Sequence, residues 1–179
     1  ITPEATATEE PAPQETDIQD ADADSYLNVL LNSEPSSLDV AKFLDTYSRS
    51  VMYNILEPLT RIQNGVVTGA GAETWEVSED GLTYTIELVD ATFQNGDPLT
   101  AEDVVFSYEL AMQNSKFGYV TSMIDSIKAD GDKTVIMTLK YPYSAISHTF
   151  FTIKIYSKRE YQEIIDSGVP FGTRPHTAG

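Results

Sequence analysis

The side chains that could perform chemistry are few in this sequence and lie far apart. It contains no cysteine, which excludes a thiol nucleophile and thiolate metal sites. Its two histidines are His148, in an apolar aromatic segment, and His176, near the end of the chain. A Ser-His-Asp hydrolase would need one of them, but the sequence has no G-x-S-x-G nucleophile elbow. We therefore expect no catalytic residue and no enzymatic activity.

Adjacent carboxylates occur at Glu79-Asp80 and at Glu102-Asp103. Neighbouring positions do not face each other on a helix, so the second pair does not predict a shared proton or a metal ion. Turn chemistry explains the first pair and helix capping the second. The segment Gly69-Ala70-Gly71 is glycine-rich but lacks the lysine of a phosphate loop. These patterns predict no metal site and no cofactor.

A polar loop and the tyrosines are better candidates for ligand binding. Glu34, Pro35, Ser36 and Ser37 follow the apolar run Tyr26–Leu31, and ligands often meet a sheet where a strand ends. Tyrosines have an apolar ring and a polar tip, which suits the wall of a cleft. For any single tyrosine, however, a place at the edge of the core is the favoured interpretation. The tyrosines considered are Tyr47, Tyr53, Tyr108, Tyr119, Tyr141 and Tyr143.

Hydrophobic periodicity predicts an α+β fold with an antiparallel or mixed sheet, because strands and helices mix without strict βαβ alternation. Two stretches of alternating apolar residues predict hairpins with one buried face. Their expected inward residues are Trp75, Val77, Tyr84, Ile86 and Leu88 in the first hairpin and Val135, Met137 and Leu139 in the second. The other predicted elements are a buried strand at Tyr26–Leu31, a helix at Asp45–Glu57, a helix after Thr100, a short helix at Ser144–Phe151, a short strand at Thr152–Tyr156 and a helix from Ser157 through Asp166.

Two of these helices have clear start signals. Thr100 and Asp103 have the spacing of a capping box, in which each residue satisfies a backbone N–H of the other. Ser157 and Glu160 repeat that spacing before the last helix. Gly168 follows where a helix commonly ends in a left-handed residue.

Residues 1–24 are expected to form a disordered acidic tether. They contain eight acidic residues, three prolines and no lysine, arginine or aromatic residue. So little apolar surface cannot offset the entropy of ordering the chain. The tether contributes −8 to the formal charge of −17, and the remaining 155 residues contribute −9. Because such a surface repels phosphates, we expect no nucleic-acid partner, and membrane attachment only through a lipid anchor outside this chain.

Four segments carry a family resemblance. They are LNVLL at 27–31 with EPSSLD at 34–39, YNILEPL at 53–59, the long stretch 73–108 and TVIMTLKYPY at 134–143. Together they resemble the family 5 extracellular solute-binding proteins, the oligopeptide- and dipeptide-binding receptors of ABC importers. The stretch 73–108 is the most specific of the four. The departures are Val40 for a usual proline, Val89 for a usual basic residue, Arg174 for a glycine and His176 for an aromatic residue.

The resemblance implies a periplasmic-binding-protein type II-like fold and an extracytoplasmic role in ABC transport. The chain would supply the N-terminal portion of lobe I, with the opening strand and loop at 25–38, an inserted subdomain at 39–168 and the start of the return at 169–179. A peptide would be held between two lobes and passed to ABC permease subunits, at the cell surface or in the periplasm. With one lobe absent, weak or no binding is expected of this chain alone. The implied near-ligand residues are Glu34, Pro35, Ser36, Ser37, Tyr53 and Asn54.

Two alternatives remain open. The same fold could bind another solute, such as a sugar, a nickel chelate or haem, because relatives in this family do so. The subdomain could instead serve as a surface-interaction module without transport. A second lobe encoded downstream would favour transport.

Overall fold

The computed structural model describes residues 28–37, 39, 45–150 and 152–168. The chain divides into two units, Ile1–Leu31 and Asn32–Gly179. The tether, Tyr26, Leu27, His176 and the segment 169–179 lie outside the described residues. In the described part, the second unit contains helices α1 (Thr46–Ile55), α2 (Ala101–Met112), α3 (Gly118–Thr121) and α4 (Lys158–Asp166), and strands β1 (Thr60–Gln63), β2 (Val66–Gly69), β3 (Ala72–Val77), β4 (Thr83–Leu88), β5 (Ile124–Asp130) and β6 (Thr134–Leu139).

The buried strand predicted at Tyr26–Leu31 is wrong for its described part. Residues 28–31 have no strand structure, and Val29 and Leu30 are 69% and 93% exposed. A strand requires backbone hydrogen bonds to a neighbour. No described strand pairs with this segment, so its apolar sequence is not sufficient to form a strand.

A four-stranded antiparallel sheet in the order β3-β4-β6-β5 forms the centre of the second unit. The central strands β4 and β6 alternate as predicted, with Tyr84, Ile86 and Leu88 buried beside Val135, Met137 and Leu139. Gly81 and Gly131 turn the two hairpins in left-handed backbone geometry. The α+β prediction with an antiparallel sheet is therefore confirmed. The inward position of Val77 is wrong, because it lies on the edge strand β3 and is 47% exposed.

Helix α2 begins at the predicted capping box and packs against β5 and β6. Asp103 N–H donates to Thr100 Oγ1, and Thr100 N–H donates to Asp103 Oδ2 at 3.0 Å. On its inner face, Val104 is fully buried and Tyr108 is nearly so. Helix α4 begins at the predicted cap Ser157, whose hydroxyl accepts from Glu160 N–H at 3.2 Å.

Two elements after the sheet differ from prediction. The predicted helix at Ser144–Phe151 is reduced to a 3-10 turn at Ile146–His148, whose start has no side-chain cap; Phe151 lies outside the described residues. So short a helix lacks the stability to propagate. The predicted strand at Thr152–Tyr156 is a single bridge between Lys154 and Pro58. This segment lies against the end of α1 instead of joining the sheet. The bridge is therefore not extended into a paired strand.

Helix α1 is two residues shorter at its end than predicted and begins after the cap Asp45. Met52 on the helix, Leu56 at its C-cap and Leu59 in the connection to β1 are buried. These residues join the core above the sheet. In the part of the chain that the structure describes, no helix has the length and apolarity to cross a membrane.

Candidate functional site

The predicted loop at 34–37 is tied to the beginning of α1. Ser36 Oγ donates to Asp45, and Ser37 N–H donates to Ser48 Oγ at 3.3 Å. Asp45 also accepts from Ser48 N–H at 2.8 Å, as a helix cap does. Hydrogen bonds from Ser36, then from Ser48, hold the pKa of Asp45 well below its usual range. The loop is therefore positioned by α1.

The predicted residues at the other end of α1 have different environments. Asn54 is exposed, and its amide donates to the Ser50 carbonyl of its own helix at 2.7 Å. Tyr53 contacts Lys154, whose Nζ lies 4.0 Å from the centre of the ring. Since α1 rises by about 1.5 Å per residue, Asp45 and Tyr53 are separated by about 12 Å along the helix. The six predicted residues therefore occupy both ends of α1 and do not form one cluster.

An open groove of about 330 Å³ lies beside Lys154. Its walls are Tyr53 in the last turn of α1, Glu57 and Pro58 just after this helix, strand β1 and Lys154. We call it the Lys154 groove. Its size is at the lower end of the range of small-molecule pockets. Glu57 and Arg61, four residues apart, form an ion pair with each other, with Arg61 Nε 3.0 Å from Glu57 Oε2.

Lys154 is the residue that sequence reasoning missed. Its bridge to Pro58, together with the bond from Ile155 N–H to the Glu57 carbonyl at 2.9 Å, fixes its backbone against the end of α1. The residue is only 7% exposed. Within the described residues no carboxylate forms an ion pair with its ammonium. The sequence signal was a lysine between two isoleucines, Ile153 and Ile155, inside the predicted strand Thr152–Tyr156.

Burial, and then the positive charge of Arg61, lower the pKa of Lys154 from 10.5 to about 8. Burial also raises the pKa of Tyr53. The Lys154 side chain is thus a cation at neutral pH. The ring of Tyr53 compensates part of its lost hydration through a cation–π contact.

We expect Lys154→Met to raise the free energy of unfolding at pH 7 by about 1 kcal/mol, because it replaces an unpaired buried charge with an apolar chain of similar size. The folded pKa of about 8 lies below the ordinary lysine value of 10.5. Between these values the unfolded chain binds the proton more strongly, so stability of the original protein rises with pH. The gain in the free energy of unfolding from Lys154→Met should therefore be smaller at pH 9.5 than at pH 7. Urea unfolding at both pH values measures this change.

Lys158→Met is the matched control for that substitution. Lys158 is exposed and pairs with Glu102 at 2.9 Å, and this bond raises its pKa. Its replacement should change stability by less than about 0.5 kcal/mol, with no gain. Equal stability of Lys154→Met and the original protein at pH 7 would contradict the cost assigned to the buried ammonium.

The other candidate residues have structural explanations. Glu102 pairs with Lys158, and Asp103 caps α2. Asp80 accepts from Ser78 Oγ at 2.6 Å within its turn. His148 lies in the 3-10 turn at 146–148. Among the described residues there is no group of three or more His, Asp or Glu side chains that could hold a metal ion.

The candidate tyrosines divide between core and surface. Tyr108 lies in the core, so it cannot line a cleft. Only Tyr53 among the candidates lines the Lys154 groove. By side-chain environment they are buried (Tyr108), half-buried (Tyr47) and exposed (Tyr53, Tyr119, Tyr141 and Tyr143).

Comparison with known families identifies the largest part of this fold. Residues 66–174 match the family described as bacterial extracellular solute-binding proteins, family 5 Middle. The chain is 34% identical over 130 residues to the dipeptide-binding protein of Lactococcus lactis. This match covers 62% of this chain and 24% of that protein. The chain spans about a quarter of the length of the curated relatives it matches.

Two solved structures show the same arrangement. The ABC transporter-associated periplasmic binding protein DppA of Helicobacter pylori, in complex with the peptide STSA, has a TM-score of 0.66 and 26% identity, covering 75% of this chain and 31% of that one. MoaA of A. tumefaciens R10, in complex with mannopinic acid, has a TM-score of 0.69 and 28% identity, covering 78% and 30%. These similarities confirm the predicted fold class over the greater part of the chain.

Proposed function

Because this chain belongs to the bacterial extracellular solute-binding proteins of family 5, we propose that the protein containing it captures peptides outside the cytoplasm for an ABC transporter. Relatives named dipeptide-binding and oligopeptide-binding proteins support a peptide ligand. The ligand is held non-covalently between two lobes and passed to permease subunits, and the protein performs no covalent chemistry. A lipid anchor outside this chain holds it at the membrane.

The observation that carries this proposal is the continuous match over residues 66–174, in a fold shared with a peptide-bound neighbour. This chain contributes one wall of the binding cleft. Glu34, Pro35, Ser36 and Ser37 are proposed to lie near the ligand, because α1 holds their loop in a defined position.

The proposed roles of the α1 residues differ from each other. Tyr53 is the stronger candidate because it lines an open groove beside Lys154, whose ammonium forms no ion pair with the residues that the structure describes. Asn54 is the weaker one, since its amide already bonds to its own helix.

A second candidate ligand class comes from one specific observation. The mannopinic acid complex resembles this chain as well as the peptide complex does, with TM-scores of 0.69 and 0.66. Capture of a small carboxylated solute therefore uses the same fold. The names of the curated relatives favour peptides over this class.

Calorimetry on the full-length gene product tests the proposal. We expect tri- to pentapeptides to bind with a Kd of about 1 µM or below, and mannopinic acid to bind at least about 100-fold more weakly. The 179-residue chain alone should bind these peptides weakly or not at all, because its partner wall is missing. Binding of mannopinic acid without peptide binding would favour the second class. Binding of neither would contradict both the peptide ligand and the second ligand class.

A further inference from the structure

We propose that the Lys154 groove is a carboxylate-binding subsite, in which the buried ammonium of Lys154 pairs with a carboxylate group of the captured solute. This assignment of the carboxylate to a solute rests on the proposed function. The subsite itself is argued from the residues of this chain. It adds a specific chemical requirement to the ligand, namely a free carboxylate that can reach the end of α1.

The first support is the state of Lys154 itself. The residue is 7% exposed, yet none of the ion pairs within the described residues includes its ammonium. Its pKa is lowered to about 8, so the side chain still carries a positive charge at neutral pH. Buried charges are ordinarily paired, since an unpaired one is costly. An anion supplied by a ligand would complete this pair.

The second support is the position of Lys154 in the wall of an open groove. Nζ lies 4.0 Å from the ring centre of Tyr53, and both residues line the same open groove. The ammonium therefore contacts the Tyr53 ring in the wall of a groove that is open to solvent. An ammonium has three donors, and a carboxylate has two acceptor oxygens that can meet them.

The charges around Lys154 favour a single carboxylate over a polyanion. Glu57 is the acid among the groove-lining residues, and its carboxylate is engaged by Arg61. The Glu57–Arg61 pair carries no net charge, so the net charge of the groove-lining residues is the single positive charge of Lys154. The 155 residues after the tether carry a formal charge of −9. A phosphate with two charges would meet more repulsion than a carboxylate with one.

The direct test uses a matched pair of small probes on the 179-residue chain. N-acetylglycine carries a carboxylate, and N-acetylglycinamide replaces it with an uncharged amide of similar shape. We expect N-acetylglycine to shift the NMR signals of Lys154 Cε and of the Tyr53 ring, with a saturating curve in the millimolar range. The amide should bind at least about 10-fold more weakly, because it cannot form the charge-assisted bonds. Equal shifts with both probes would overturn the subsite.

Variants assign the effect to Lys154. Lys154→Gln should weaken N-acetylglycine binding at least about 10-fold, whereas Lys154→Arg keeps the charge and should retain most of it. Lys158→Gln is the control, because this exposed lysine lies outside the groove and pairs with Glu102. Glu57→Gln removes the acid that pairs with Arg61, so the groove becomes more positive and N-acetylglycine should bind more tightly. Unchanged binding in a folded Lys154→Gln variant would overturn the assignment.

The full-length protein distinguishes the source of the carboxylate. A peptide and its form lacking the nearest carboxylate should differ at least about 10-fold in affinity, and Lys154→Gln should abolish this difference. If the difference persists in the variant, the solute does not use this groove and the proposal fails. If the full-length protein binds no solute at all, the proposed function fails, and the N-acetylglycine titration still decides whether a carboxylate site exists at Lys154.

Discussion

Replacing Asp103 with alanine is expected to lower the free energy of unfolding by about 3 kcal/mol. The carboxylate is buried at the beginning of α2 and accepts three hydrogen bonds. They come from Thr100 N–H at 3.0 Å, Thr100 Oγ1 at 2.6 Å and Lys158 N–H at 2.8 Å. The last of these ties the beginning of α4 to the beginning of α2. Alanine would leave two backbone donors without their partner in a poorly hydrated place.

Equilibrium unfolding in urea, followed by circular dichroism, measures this loss. Asp103→Asn keeps one acceptor oxygen and should lose about half as much stability as alanine. Glu102→Ala is the neighbouring control, because Glu102 is exposed and forms a surface ion pair with Lys158. It should cost less than about 1 kcal/mol. Equal losses for Asp103→Ala and Glu102→Ala would show that the hydrogen bonds from Thr100 and Lys158 to Asp103 do not stabilise the fold.

Replacing Ile86 with alanine is expected to cost about 3–4 kcal/mol, the range for removing three methyl or methylene carbons from a rigid core. Ile86 lies on the central strand β4 and is fully buried. Trp75 of β3 and Val135 of β6 are its direct neighbours across the sheet. Since paired strands hold both sides of this position, the site cannot easily collapse around the cavity.

The same substitution tests the proposed subdomain at 39–168. Trp75 is the single tryptophan of the chain, so its fluorescence reports on the sheet next to Ile86. If the region is one cooperative unit, fluorescence and circular dichroism should give the same unfolding midpoint before and after the change. Thr85→Ala, on the other face of β4, should cost less than about 1 kcal/mol. Two separate midpoints would contradict a single subdomain.

Stability and binding make opposite demands at different places in this fold. Asp103 and Ile86 hold the helices and the sheet together, and no ligand is assigned to them. Lys154, by contrast, is expected to reduce the free energy of unfolding as long as no anion is bound beside it. A gain in stability together with a loss of carboxylate binding in the Lys154 variants would be typical of a residue retained for function.

Local features could be predicted from the sequence because short-range interactions create them. The alternation in β4 and β6 predicted which side chains face the core, and the spacing of Thr100 and Asp103 predicted the capping box. These depend on neighbours within a few residues. The long motif at 73–108 also identified the family, because a continuous pattern of that length is specific.

Features made by residues far apart in the chain were decided by the tertiary structure. The apolar run at 28–31 is not a strand, since no described strand pairs with it. Lys154 meets Tyr53, a residue 101 positions earlier, only because the segment after the 3-10 turn packs on the end of α1. The sequence by itself determined the sheet, the helix starts and the family. Only packing determined that Lys154 became buried without an ion pair to any carboxylate of the described residues, because burial depends on which distant segments exclude water from a side chain.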